Sequence, residues 1–126
     1  MSEIREGLYY HESHDWLSID SDTGTTGITD YAQAELGDIV FLELPGAGTE
    51  VVMGESYGTI EAVKTVADLV SPLTGKIVEV NEALQEDASL VNTDPYGEGW
   101  TIRIRLADER ELQELMSAEA YRESLE

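Results

Sequence analysis

Gly58-Thr59-Ile60-Glu61-Ala62-Val63-Lys64-Thr65-Val66-Ala67-Asp68 is the stretch that decides the fold. Apolar and β-branched residues run up to Lys64 from both sides, and such residues suit the pleated, half-buried surface of a strand. Val70-Ser71-Pro72-Leu73-Thr74-Gly75 follows, with turn residues at Pro72 and Gly75. Two strand-like runs meeting at one lysine predict a hairpin with Lys64 at its tip. No Asn-Gly or Asp-Gly pair marks the turn itself. A single amine on a stiff tip is a good anchor for a swinging prosthetic group. Most exposed lysines, however, are no more than solvated charges.

Working outward, short strands dominate. Residues 16–20 alternate polar and apolar, and 25–28 read as their return strand across a polar turn at 21–24. Residues 39–44 form an apolar run that stops at Pro45-Gly46, and 51–53 lead to a turn at Gly54-Glu55. Residues 56–63 and 65–70 flank the lysine, and 77–80 and 100–106 alternate again. Pro45, Pro72 and Pro95 all fall between these runs, where a missing N–H does no harm. Many short strands separated by turn residues predict a mainly β domain, a flattened barrel or sandwich, spanning 1–126 as one unit.

Helical additions are small. Residues 30–36 carry Tyr31, Ala32 and Leu36 on one side, with Thr29 as N-cap and Gly37 past the end. Residues 108–125 are helical in period, with Leu112, Leu115 and Met116 as one apolar stripe and Ser117 capping a second short helix that buries Tyr121 and Leu125. A faint internal repeat sets Gly37-Asp38-Ile39-Val40 beside Gly75-Lys76-Ile77-Val78 and suits a barrel of two similar halves.

Charge narrows the partners. Twenty-seven acids against 7 bases give a net −20 and a pI near 4.1. Nucleic acid and anionic membrane surfaces are poor partners for such a surface. The acids are spread along the chain, which fits either a high-salt cytoplasm or simply an acidic soluble carrier. No apolar stretch is long enough to span a bilayer, and the opening Met1-Ser2-Glu3-Ile4-Arg5-Glu6 is no targeting signal, so a cytoplasmic location is expected.

Chemistry is sparse. There is no cysteine, hence no disulfide, thiolate nucleophile or cysteine-held metal. His11 and His14 could give two metal ligands but lack a completing set, so local hydrogen bonding is the simpler role. Nucleophile elbow, phosphate loop and dinucleotide fingerprint are all missing. The chain is expected to be a non-enzyme.

At this point the residues resemble a known family. Gly27-Ile28-Thr29-Asp30-Tyr31-Ala32-Gln33, Leu36-Gly37-Asp38-Ile39-Val40-Phe41 with Glu43-Leu44-Pro45, and Glu61-Ala62-Val63-Lys64 with Asp68 are similar to the H proteins of the glycine cleavage system. His14-Asp15-Trp16, Ser71-Pro72, Gly75, Val78-Glu79-Val80-Asn81-Glu82 and Leu90-Val91-Asn92-Thr93-Asp94-Pro95-Tyr96-Gly97-Glu98-Gly99-Trp100 continue the likeness. Together these cover nearly the whole chain in the same order.

The resemblance implies a barrel-sandwich of the lipoyl/biotinyl-domain type with lipoate in amide linkage on Lys64. It implies a carrier that takes an aminomethyl group from a pyridoxal-phosphate glycine decarboxylase to a tetrahydrofolate-dependent aminomethyltransferase. A flavin (FAD) dihydrolipoyl dehydrogenase then reoxidises it, and a lipoate ligase or lipoyl transferase modifies it. A monomer is expected, since several enzymes must reach the surface around the arm. The absence of protein thiols removes an internal competitor for disulfide exchange with the dithiolane. By the same resemblance, a cleft for the loaded arm reads here as Ser13, Asp15 and Asp68, with Ile28 and Leu36 as apolar walls. Asp15 stands where members usually have Glu, and Glu35 where some have His. Both also admit a reading as solvated surface acids, and Asp68 is preferred as lying near the root of the arm.

Rival readings share parts of this pattern. Lipoyl domains of 2-oxo-acid dehydrogenases usually show Asp-Lys-Ala and biotin carriers Met-Lys-Met, against Val63-Lys64-Thr65 here. An H-like lipoate-relay protein, or an interaction module with an unused lysine, remains compatible with the sequence.

Overall fold

The structure is a computed structural model describing residues 2–125. In chain order it runs β1 (Tyr9–His11), β2 (Asp15–Asp20), β3 (Thr23–Ile28), α1 (Asp30–Leu36), β4 (Ile39–Glu43), β5 (Glu50–Val51), β6 (Ser56–Ala62), β7 (Val66–Val70) and β8 (Gly75–Val80). Then come α2 (Ala83–Glu86), α3 (Leu90–Thr93), β9 (Ile102–Leu106), a 3-10 turn at Glu109–Glu114 and α4 (Ala118–Ser124). A six-stranded sheet has the order β1-β2-β3-β9-β8-β5, and a three-stranded sheet the order β4-β6-β7. All pairings are antiparallel.

The mainly β fold with small helices is as expected, but the barrel is not closed. Pro45 follows β4 and Pro72 lies between β7 and β8. Neither has an amide to continue a ladder at the points where the two sheets approach each other in sequence. What results is a sandwich of two sheets with a shared interior.

Three apolar clusters fill it. One joins Ile28, Ile39, Leu42, Ile60, Leu69, Leu84 and Val91 beneath the small sheet. A second joins Leu17, Leu73, Ile77, Ile102 and Ile104 beneath the large one. Tyr57 packs against both and so ties them together. Each fully buried Leu or Ile contributes about 1.5–3 kcal/mol of transfer free energy. A third, aromatic cluster holds Tyr10, Trp16, Tyr96 and Tyr121, with Tyr10 and Tyr121 stacked at 4.6 Å.

The internal repeat has a structural counterpart. Ile39 and Ile77 are both buried, Val40 and Val78 both face solvent, and each strand breaks register just after its isoleucine, at Ile39/Phe41 and Ile77/Glu79. The two glycines that open the repeat serve different ends. Gly37 ends α1 with φ 85° and ψ −156°, a region that is essentially glycine's own. Gly75 lies against β9, where a Cβ would run into the Arg105 carbonyl oxygen.

Caps fall where the sequence puts them. Thr29 and Ser117 accept from the Ala32 and Ala120 amides. Of residues 108–125, expected as helical, Glu109–Glu114 form the 3-10 turn, capped by Asp108, and only Ala118–Ser124 are α-helix. Leu112 and Leu115 are three apart, which eclipses them at three residues per turn, and both enter the second cluster. Met116 leaves that stripe and bridges to Tyr10 beside the aromatic cluster. Strand β1 and helices α2 and α3 were not expected. Each has three or four residues, too few to show a period.

Candidate functional site

The β6–β7 hairpin presents Lys64. Glu61 faces Val66 across the ladder, and the Ala62 amide donates to the Thr65 carbonyl at 2.8 Å, leaving Val63 and Lys64 as the turn. Neither has a positive φ, which is why the turn does without the Asn-Gly pair that primed turns need. The Val63 amide is instead engaged by the Asp38 carbonyl at 3.0 Å, so the turn is fastened to the start of β4. Below the turn, Ile60 and Leu69 are each 1% exposed, while Val63 and Val66 are 76% and 61% exposed. The base of the hairpin is therefore held by core packing and its tip is free.

Asn92 of α3 sets the ground on which the tip rests. It accepts from the Ile39 amide at 2.9 Å and donates to Gly37 O at 2.9 Å and Gln33 Oε1 at 2.8 Å. The end of α1 and the start of β4 are thus pinned by one side chain. Lys64 Cε and Nζ lie just above Gly37.

Lys64 is also chemically available. All five arginines pair with carboxylates, but neither Lys64 nor Lys76 does so among the described residues. Lys76 sits within β8 opposite Glu50 and Arg105, away from any turn.

A cleft of about 300 Å3 is lined by Ile60, Ala67 and Asp68 of the hairpin and by Leu36, the neighbour of Gly37. Ser13, Asp15, Ile28, Glu35, Leu36 and Asp68, the six positions singled out by resemblance, all line it. His14, Tyr31, Ala32, Ile60 and Ala67 complete the wall. Tyr31 and Ala32 could have been read from sequence, because i,i+4 spacing on α1 places them beside Glu35 and Leu36. His14 has φ 70° and bonds through Nδ1 to the Tyr121 hydroxyl at 2.9 Å, the local role foreseen for it, but its place on the wall was not foreseen. A larger groove of about 600 Å3 runs along Phe41, Leu44 and Val78, and no residue of the β6–β7 hairpin lines it.

The acids of the cleft differ in kind. Glu35 and Asp68 have exposed side chains at its edge. Asp15 is not the solvated surface acid that one reading allowed: it is 2% exposed. Burial pushes its carboxyl up to about 8, with the Ser13 hydroxyl opposing the rise. Ser13 Oγ lies 2.6 Å from Asp15 Oδ2, and no partner for Oδ1 is found among the described residues. Burial also raises the nearby Tyr57 phenol, and the Asp15 charge adds to that rise. The Tyr57 hydroxyl is satisfied by Thr101 Oγ1 at 2.7 Å. The cleft therefore combines an apolar floor with a desolvated acid that has hydrogen-bonding capacity to spare, an arrangement suited to receiving a cationic or hydrogen-bond-donating group.

A β-sandwich with one unpaired lysine on a hairpin tip, next to an acid-bearing cleft, defines a carrier domain of the lipoyl-type barrel-sandwich class. Comparison with known proteins narrows the class. The pattern of the family described as "Glycine cleavage H-protein" matches residues 8–126, and the chain belongs to that family. It is 52% identical over 126 residues to the glycine cleavage system H protein of Rubrobacter xylanophilus, covering all of this chain and 98% of that one. It is 50% identical over 126 residues to that of Carboxydothermus hydrogenoformans, covering all of this chain and 97% of the other. The crystal structure of a glycine cleavage system H protein from Mycobacterium marinum matches with a TM-score of 0.88 at 37% identity, over 97% of this chain and 98% of that one.

Proposed function

We propose that this chain is a non-catalytic carrier in glycine cleavage, with lipoate joined in amide linkage to Lys64. The observation that carries the reading is the geometry around that residue: an unpaired amine on a tip anchored below and open above, with a carboxyl-lined cleft beside it. When bound, lipoate supplies the disulfide–dithiol couple that lets an aminomethyl unit from glycine be held and passed on. The chain's own residues do the rest. The hairpin keeps the amine in reach of a modifying ligase and of successive enzymes. Ile28, Leu36 and Ile60 give the cleft an apolar floor. Asp15, with Asp68 and Glu35 at the edge, offers acceptors for an ammonium. Ser13 orients the Asp15 carboxyl.

The partners on this reading are the pyridoxal-phosphate decarboxylase, the tetrahydrofolate-dependent aminomethyltransferase, the FAD-containing dihydrolipoyl dehydrogenase and a lipoate ligase or transferase. A cytoplasmic monomer fits such traffic. No helix is long and apolar enough to cross a membrane among the described residues.

Intact mass of the protein from its native host tests the assignment. A lipoyl increment that disappears in Lys64→Ala is expected. A biotinyl increment, no increment, or a lipoyl increment surviving in the variant would each overturn it.

A further inference from the structure

Ser13 Oγ makes two short contacts, 2.6 Å to Asp15 Oδ2 and 2.6 Å to His11 Nδ1, while the Ser13 amide approaches the same Nδ1 at 3.1 Å. A hydroxyl has one proton to give. An Nδ1 that accepts from the amide carries no proton, so its contact with Oγ is completed by the Ser13 hydroxyl. The 2.6 Å contact to Asp15 is then a hydrogen bond only when Asp15 donates. The arrangement fits a neutral chain, Asp15 O–H to Ser13 O–H to His11 Nδ1. Its alternative reverses both hydroxyl bonds and gives up the amide bond: the hydroxyl turns to an ionised Asp15, Nδ1–H donates to Oγ, and the Ser13 amide loses Nδ1 as its acceptor.

The two ends of this chain face different openings. Asp15 lines the cleft at the β6–β7 hairpin. His11 lines a separate recess of about 300 Å3 with Glu12, Met53 and Glu114. From these contacts and openings we infer that His11 and Ser13 form a proton relay, carrying the Asp15 proton from the cleft to the outer recess when a cation enters. Asp15 Oδ2 gives its proton to Ser13 Oγ as the Ser13 hydroxyl proton passes to His11 Nδ1. His11 then releases its Nε2 proton to water in the recess. One proton leaves, one positive charge enters the cleft, and no redox partner is needed.

The surroundings hold the resting state neutral. Burial keeps the proton on Asp15 and holds the His11 imidazole below its ordinary value, with Glu12 opposing. Glu35 from α1 and Asp68 from β7 border the cleft and add to the cost of a second or third anion there. Tyr57 from β6 and Tyr121 from α4 stay phenolic, and burial holds His14 below its ordinary value, with Glu35 opposing. Lys64 loses its charge on acylation. An arriving ammonium is thus the group that makes ionised Asp15 favourable. This step rests on the reading that the cleft receives a cationic arm, but the relay does not.

The relay is tested on the unacylated full chain with 15N-labelled histidine and 13C-labelled aspartate. His11 should change from its Nε2–H to its Nδ1–H tautomer in step with the Asp15 carboxyl, near pH 8. In Ser13→Ala, Asp15 should still titrate, at a higher pH, while the His11 tautomer no longer follows. A His11 tautomer that stays constant through the Asp15 step overturns the relay, as does coupling that survives in Ser13→Ala. On the aminomethyl-loaded protein the Asp15 midpoint should fall by about one unit or more, as expected for an acid gaining a nearby positive charge. An unmoved midpoint overturns the cation half of the proposal and the cleft reading together, while the tautomer result decides the relay separately.

Discussion

Lys64 lays its stem over Gly37. A methyl group built on Gly37 would stand 3.5 Å from Lys64 Cε and 3.9 Å from Nζ, which is ordinary van der Waals contact. The same glycine has φ 85° and ψ −156°. Backbone strain, not crowding of the lysine, therefore decides what a side chain does there. Gly37→Ala should lower stability by about 1–3 kcal/mol and leave the rate of Lys64 acylation unchanged. Urea melts and a ligase assay check the two halves. Slowed acylation in a variant of near-normal stability would show that the stem needs the open glycine face.

Asp15 makes stability fall as pH rises. Its ordinary value is 3.8 and its folded value about 8. Between these limits the unfolded chain has lost the proton and the folded chain still holds it, so stability declines by about 1.4 kcal/mol per pH unit from this group. The stabilising share is complete below about pH 4 and gone above about pH 8. Asp15→Asn should flatten that slope and leave the variant more stable than the parent at neutral pH, with the gap widening up to pH 8. Denaturant melts from pH 4 to 9 read it directly, and parallel curves for parent and variant would refute it.

Asp68 should slow loss of the loaded group without being essential to loading. Its side chain is exposed at the cleft edge, so its pull on an ammonium is screened by water. Asp68→Asn is expected to speed spontaneous release of ammonia and formaldehyde by less than about ten-fold, while lipoylation of Lys64 is kept. A decay rate equal to that of the parent makes Asp68 a solvated surface acid and leaves protection to Asp15, Glu35 or neither.

Salt should stabilise the fold. With 27 acids, 7 bases and every arginine already paired, the excess carboxylates repel one another. The screening length drops from about 10 Å at 0.1 M to about 3 Å at 1 M. The melting temperature should climb between low and molar KCl. A flat curve would remove the reading of a saline host and leave an acidic carrier of ordinary surroundings.

Much of this was legible in the residues because the cues were local. The apolar runs around Lys64, the Thr29 and Ser117 caps and Gly37 each depend on neighbours a few positions away. The burial of Asp15 was not legible. Strand alternation would put Asp15 outward if Trp16 points inward, yet Asp15, Trp16 and Leu17 are all buried, because β2 is covered on both faces at its start. Trp16 is covered by Tyr96 and Tyr121 and bonds to the Pro95 carbonyl, while Asp15 lies near Tyr57 of the small sheet, all distant in sequence. The two sheets stay separate, with Pro45 just past β4 and Pro72 between β7 and β8.

Under the function proposed above, attachment and protection have different demands on assembly. The lysine hairpin is contiguous, residues 56–70, and can zip by local contacts early and fast. The cleft draws on residues 13–15, 28–36 and 60–68, and its floor is locked only when Asn92 reaches back to Gly37 and Ile39. A nascent or heat-weakened chain can therefore offer a ligase a recognisable lysine before it has anywhere to shelter the cargo. Lipoyl content would then report chains that have been tagged, and only the lifetime of the loaded form would report chains that are finished.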